Sequence, residues 1–388
     1  MSPPDVWITA AARTAVTGRS RAQAHRDAGE LGADVVAAVT GGREGADVAG
    51  VVLGNCWGPG GNPARVAALG AGLGDAVPGW TVDAQCGSGL VAVLQAAGHA
   101  APTGRAVVGG GVESASTAPE RIRDGAPYTQ APMAPRGRPD PGMTAAADAL
   151  AAARGLTRAR QEAFAARSHA LALAAADLRA AERAPGPEGA PAPDDDGPRR
   201  LTPAALARFT PVTPGADPAT AVTGGTAARI ADGAAAVLLE PGEPRAPAAP
   251  TPPRPGALAR PVRLVSGTIT GGDPALPGIA PVAAVRAALD EAGWTLQDLV
   301  VVEVVEAYAA QALATLDELG LTDGDAGVDP RVNAAGGALA LGHPWGASAA
   351  IALVRAVHRL QERPAGARGL VTCAVAGGMG VAALLEVG

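Results

Sequence analysis

"VDAQCGSGLVAVLQAAGHA", residues 82–100, sets a cysteine between a short apolar strand and a run that favours helix. Glycines crowd the downstream side of Cys86. A second stretch, "VNAAGGALALGHPWGASAAIALV" (332–354), again passes from a turn into a helix. The segments after the two helices also match: "RAVVGGGVESA" (105–115) after the first and "RGLVTCAVAGGMGVAALLE" (368–386) after the second. Each half therefore reads turn, helix, basic residue, buried strand, glycine cluster. A repeat of this size predicts duplicated α/β halves packed together.

The chain has 388 residues, enough to bury a large core in two or three domains. It is 48% hydrophobic and 18% charged, which fits a soluble globular protein. The net charge is -6 and no lysine is present, so no basic field invites nucleic acid. The alanine, glycine and proline excess reads as genome composition before function. Cys56, Cys86 and Cys373 are too few for a disulfide framework, and their spacing is not that of a metal site. A reducing compartment is the simplest inference. "MSPPDVWITAAARTAV" lacks the basic start and long apolar run of a signal peptide, and no stretch reads as a membrane span. The expectation is a cytoplasmic protein with no membrane or nucleic-acid partner and no metal.

Apolar runs predict strands at 48–53, 106–109, 232–240, 299–304 and 369–375. Helices are expected at 87–101, 281–292, 307–319 and 346–362, with two more in the alanine-rich 145–183. "APGPEGAPAPDDDGPRR" (184–200) reads as a surface loop or mobile segment, and 241–256 as a linker. Residues 118–217 have no counterpart in the second half and read as an insertion. The expected organisation is a first half of 1–117 plus 218–242, an inserted domain of 118–217, and a second half of 243–388.

Four motifs, in order, resemble the thiolase family: "VDAQCGSG", "VEAYAAQ" (305–311), "GGALALGHPWGAS" (336–348) and "AGGMGVA" (376–382). The resemblance covers almost the whole chain. It implies an α/β thiolase fold, with duplicated βαβαβαββ halves forming a five-layered αβαβα core. It also implies an inserted loop domain over the acyl-carrier arm, and a homodimer or homotetramer.

A cysteine at a helix N-terminus feels the positive end of the helix dipole, which favours thiolate. The small neighbours Gly87, Ser88 and Gly89 suit close approach of a substrate. Cys86 is thus the candidate nucleophile, against the alternative of an inert buried cysteine. Gly342 and Pro344 frame His343 in a tight turn. By resemblance it takes the thiol proton and donates into an oxyanion hole. His25, His99, His169 and His358 lack such a frame and read as packing or surface residues. The resemblance also implies an acyl oxyanion hole made by the backbone N–H groups of Cys86 and Ala376.

Other positions depart from the family pattern. The family uses a second cysteine to remove an α-proton; Ala374 stands at that position, and Cys373 comes one residue early. One step along a strand reverses the side chain, so Cys373 points away from Cys86 unless a bulge re-aims it. Val305 stands where the family has the asparagine that holds a water at the enolate hole, and valine has no group to hold one. Glu306 remains, either as an orienting group or as a paired structural carboxylate. Asp140 and Ala146 stand where one family stretch has a histidine and a glutamate, and Ala228 where another has the serine that touches the pantetheine arm. Arg229 and the arginines of the insertion read as phosphate contacts or as solvated surface. Trp345 reads as pocket wall or as core, and the resemblance implies that Cys56 and Trp57 lie on a loop near the dimer face.

Nucleophile, histidine and acyl oxyanion hole are thus retained, while the α-proton base and the enolate hole are absent. The function expected is an acyltransferase forming an acyl-Cys86 thioester. Its donor is an acyl-coenzyme A or acyl-carrier thioester, taken as substrate, with no resident cofactor. The acceptor is a heteroatom, or a carbon nucleophile formed by decarboxylation. The alternatives are an acetoacetyl-type thiolase with a re-sited base, Cys373 or a water, and a scaffold subunit for a catalytic partner. An acyl carrier protein or a partner subunit is a further expected contact.

Overall fold

The computed structural model describes residues 5–43, 45–128, 131–186, 191–242, 256–324 and 327–388. Among them run β1 (Val6–Arg13), β2 (Thr17–Gly18), β3 (Val48–Gly54), β4 (Gly79–Val82), β5 (Ala106–Ser114), β6 (Arg121–Arg123) and β7 (Ala126–Tyr128). Further along are β8 (Ala231–Pro241), β9 (Ala257–Gly271), β10 (Leu299–Val304), β11 (Arg368–Val375) and β12 (Met379–Val387). One sheet runs in the order β10-β11-β12-β9-β1-β8-β5-β3-β4, with β2 paired to β8. β6 and β7 form a separate hairpin.

The strand pairing repeats. In the first half β3 is parallel to β5, β5 antiparallel to β8, and β8 antiparallel to β1. In the second, β10 is parallel to β11, β11 antiparallel to β12, and β12 antiparallel to β9. β1 and β9 join the halves. β4 flanks β3, and its counterpart shrinks to a bridge between Val302 and Val332.

Side chains alternate across each strand and so build the layers. On β8, Ala235, Val237 and Leu239 face a central layer, while Ala234, Ala236 and Leu238 face the helix Ala28–Thr40. On β12, Val381, Ala383 and Leu385 face the same central layer. Ala382 and Leu384 face the helices Pro281–Ala292 and Ala309–Glu318. The central layer holds two helices, Ser88–Thr103 and Trp345–Gln361, equivalent in the repeat. Helix, sheet, helix, sheet, helix gives the five layers of the thiolase fold. Strands buried on both faces read as unbroken apolar runs, which is why β3, β8 and β10 are legible in sequence.

The two central helices approach closely. A Cβ on Gly89 would lie 2.9 Å from both Ala350 Cβ and the Gly346 carbonyl oxygen. A Cβ on Gly111, in β5, would overlap the Gly346 carbonyl. Glycine at these places is a packing requirement.

Some elements differ from expectation. β1, β9 and the helices Ala28–Thr40 and Pro63–Gly70 are not announced by the apolar pattern of the sequence, whereas β12 carries an apolar run, Val381–Leu385, that the expected strands omit. Alanine favours helix, so "VWITAAAR" becomes a strand only through its pairing with β8 and β9. The 145–183 region makes three helices, Met143–Arg154, Arg158–Ala174 and Ala176–Ala181. Among the described residues no helix is long and apolar enough to cross a membrane.

The proline-rich 184–200 stretch is not simply a surface loop. Residues 187–190 lie outside the described residues, as do 243–255 of the expected linker. Asp195, however, is buried and receives Arg13 Nη1 at 2.8 Å and Arg179 Nη1 at 2.8 Å. Arg13 also meets Glu182 at 2.6 Å, and Glu182 pairs with Arg355 of the second central helix. Burial opposes the charge on Glu182, but Arg355 and Arg13 outweigh it and hold the carboxyl down at about 2. This network ties the insertion to both halves. Arg13→Met leaves two buried carboxylates short of a partner, and a loss of about 3–5 kcal/mol is expected in urea unfolding. A loss under about 1 kcal/mol would mean that the network does not clamp the insertion.

Candidate active site

β4 delivers the chain into a strained turn. Gln85 has φ 49, left-handed and uncommon for a residue with a side chain. Asp83 Oδ1 accepts from Gln85 N at 2.9 Å. Ser88 Oγ donates to the Gln85 carbonyl at 2.6 Å and accepts from Ala84 N at 2.8 Å. These bonds fix Cys86 in the short turn just before the first central helix.

His343 precedes the second central helix. Its N–H donates to the Arg229 carbonyl at 2.8 Å, and Gly342 turns with φ 123. Arg229 Nη2 donates to the Leu341 carbonyl at 2.9 Å and pairs with Asp196, so this arginine braces the histidine turn. Two helix ends, one from each half, thus bring His343 Nε2 to 3.2 Å from Cys86 Sγ.

The far side of the imidazole fixes its tautomer. His343 Nδ1 lies 2.6 Å from Ser348 Oγ. Ser348 donates its one proton to the Pro344 carbonyl at 3.0 Å. Its oxygen is then left to accept Nδ1–H, and the Nε2 lone pair faces the Cys86 thiol.

A buried carboxylate locks the frame. Glu113, on β5, accepts from Gly346 N at 3.0 Å, Asn55 Nδ2 at 3.0 Å and Cys56 Sγ at 3.0 Å. It joins β5, the start of the second central helix and the Cys56–Trp57 loop. Burial pushes its carboxyl up, against the hydrogen bonds that favour the charge.

Cys86 opens onto a cavity of about 560 Å³. Trp57, Trp345, Tyr308, Met133 and Ala376 are among its walls. The Trp57 and Trp345 rings lie 5.0 Å apart, and the Tyr308 hydroxyl sits 3.1 Å from Thr144 of the insertion. Cys86 keeps part of its surface open to this space. Even so, burial dominates the thiol and pushes it up to about 12; its own N–H opposes this, and Glu113 and Asp83 add to it. Burial alone holds His343 down at about 4. The resting pair is therefore neutral thiol and neutral imidazole. The helix end does not produce the resting thiolate that the sequence suggests.

The thiolase N-terminal domain model matches residues 6–243, and the C-terminal domain model matches 259–387. The chain belongs to the thiolase family. It is 40% identical to an acetyl-CoA acetyltransferase of Pseudomonas aeruginosa, across 98% of this chain and 99% of that one. It is 39% identical to a beta-ketoadipyl-CoA thiolase of Pseudomonas knackmussii, across 84% and 83%. The crystal structure of the Bacillus anthracis acetyl-CoA acetyltransferase superposes with a TM-score of 0.86, at 31% identity and 99% coverage of both chains.

The other positions singled out by the thiolase motifs take varied places. Cys373 lies in β11, whose pairing with β12 is unbroken from Arg368 to Val375, so no bulge re-aims it; contrary to the expectation it nevertheless points into the central layer, towards Cys86 rather than away from it. Its thiol meets the Cys86 backbone carbonyl at 3.3 Å and the Ala374 carbonyl at 3.1 Å. The cavity wall includes Ala376 but neither Cys373 nor Ala374. The backbone at Ala376 lies outside the left-handed region, which suits a residue with a Cβ. Val305 is buried, and its N–H donates to the Thr372 carbonyl at 3.0 Å. Glu306 is fully buried and accepts from Ser168 Oγ at 2.7 Å, Asn333 Nδ2 at 2.7 Å and Leu339 N at 3.2 Å. It ties the insertion to the chain leading to His343. Gly89 faces the second central helix, and Gly87 faces Val375, so neither is kept small for a substrate.

Sequence reasoning missed Glu113 and Ser348. An acid inside the buried run "VVGGGVES" was the signal for the first. The second lies five residues beyond His343, on the helix that His343 precedes. Ser348→Ala removes the acceptor for Nδ1–H, and Cys86 acylation is expected to slow about tenfold or more. An unchanged rate would show that the tautomer is fixed otherwise. A neutral pair also predicts a pH-rate plateau from about pH 5 to about pH 9, falling below as His343 gains a proton. A tenfold rise per pH unit through this range would instead indicate reaction through free thiolate.

Proposed function

We propose that this thiolase-family chain is an acyltransferase that carries its acyl group on Cys86. The donor is an acyl-coenzyme A or acyl-carrier thioester. The 3.2 Å contact between Cys86 Sγ and His343 Nε2, on the floor of a cavity, carries this reading. As sulfur attacks the thioester carbonyl, its proton passes to Nε2. The carbonyl oxygen becomes an oxyanion facing the N–H groups of Cys86 and Ala376. Collapse expels the pantetheine thiol, which leaves with the proton from His343. A heteroatom acceptor then gives its proton to His343 as it attacks the acyl-Cys86 carbonyl, and Cys86 leaves with that proton; a carbon acceptor instead loses carbon dioxide as it attacks, and the Cys86 sulfur regains its proton from solvent.

Attack by a heteroatom or by a decarboxylating carbon needs no α-proton base. That favours these acceptors, because alanine stands at 374 and valine at 305. A second reading is carbon–carbon thiolase chemistry with Cys373 as base. The relatives' names favour it, as does a thiol 3.3 Å from the Cys86 carbonyl. Against it, the thiol is fully buried, and burial pushes it well above its usual range.

Short acyl-coenzyme A thioesters, combined with intact mass measurement, test the proposal. A mass increase is expected on the native chain and none on Cys86→Ala. His343→Ala is expected to slow the adduct's formation at least about a hundredfold. No adduct from coenzyme A or carrier-bound thioesters would overturn the acyl-enzyme reading. Cleavage of acetoacetyl-coenzyme A that is lost in Cys373→Ala would favour the second reading.

A further inference from the structure

The cavity beside Cys86 is much larger than an acetyl group needs, at about 560 Å³. Three charged side chains are among its walls, Arg19, Glu120 and Arg121. Arg19 and Glu120 are exposed, whereas Arg121 is half-buried. The Arg121 guanidinium carbon stands 4.8 Å from the Trp57 ring centroid, and Nη2 donates to the Cys56 carbonyl at 2.6 Å. Among the described residues no carboxylate pairs with it.

This arrangement differs from a solvated surface arginine. Stacking on an indole removes one face of the guanidinium from water and fixes its plane. The Cys56 carbonyl takes one donor and leaves the others for a ligand. Trp57 in turn packs against Trp345 at a tilt of 38°, and Trp345 is two residues from His343. Arg121, the two indoles and Cys86 thus line one cavity. Along it lie apolar faces suited to a methylene chain, ending at a planar cation. A carboxylate meets that fork in a bidentate, charge-assisted pair.

We infer that Arg121 reads a carboxylate at the far end of the acyl chain, so the preferred donor is the monothioester of a dicarboxylic acid. The inference rests on the acyl-Cys86 reading and adds a substrate class to it. Glu120 sits next in the chain but is exposed, so water screens its repulsion more than it screens the half-buried guanidinium.

Rates of Cys86 acylation, measured by quenched-flow mass analysis, test it with matched pairs. The pairs are succinyl- and butyryl-, glutaryl- and valeryl-, and adipyl- and hexanoyl-coenzyme A. At least one diacid is expected to acylate about tenfold or more faster than its partner. In Arg121→Leu and Arg121→Gln that ratio is expected to fall to about one. Arg121→Lys keeps the charge without the fork, and an intermediate ratio is expected. A misfolded variant slows both series alike, so the ratio carries the result. Diacids no faster than monoacids, or a preference that survives both variants, would overturn the inference alone. No adduct from either series, as coenzyme A or as carrier-bound thioesters, would remove the acyl-enzyme reading and this inference with it.

Discussion

Two helix N-termini, one from each half of a duplicated fold, must meet closely enough for a thiol to touch an imidazole. The rest of the molecule is arranged around that contact. Gly89 lets the first central helix lie against Ala350, and Gly111 lets β5 pass under Gly346. Glu113 then holds the Gly346 N–H at 3.0 Å and so anchors the helix just beyond His343. A methyl group at either glycine would move one helix end, and the reacting groups tolerate little displacement. The apolar layers outside serve to hold these two ends still.

Burial and the helix end act on Cys86 in opposite directions. The helix end and backbone N–H groups favour a thiolate, while the cavity floor disfavours any unpaired charge. Burial dominates, so thiol and imidazole both rest neutral. On the proposed reading, charge develops only as the acyl donor arrives. Ser348 suits this arrangement, because it selects the tautomer whose lone pair meets the thiol without adding a charge.

Much of this was legible in the sequence. Cys86 and His343 carry chemistry in their residue type and sit in frames that glycine and proline mark. The repeat was visible because both halves bury strands on two faces and need glycine at the same close approaches. Other parts had no local signal. Asp195 lies in a stretch whose composition reads as solvated loop, and its partners Arg13 and Arg179 come from distant positions. Glu306 sits in a thiolase-family motif, yet its partners Ser168 and Asn333 make it a tie between insertion and core. Cys373 obeys the alternation of a regular strand, but its thiol ends beneath the backbone of the nucleophile, a position that depends on how two strands and a turn pack together.

The claim that separates this chain from ordinary carbon–carbon thiolase chemistry is acyl transfer through Cys86 without removal of an α-proton. Incubation with acetyl-coenzyme A in deuterium oxide, with mass measurement of both the thioester and the acylated chain, tests it most directly. Acylation of Cys86 with no deuterium entering the acetyl methyl group beyond the uncatalysed rate is the result expected. Exchange on the timescale of acylation, dependent on an intact Cys373, would contradict the claim and restore a carbanion mechanism.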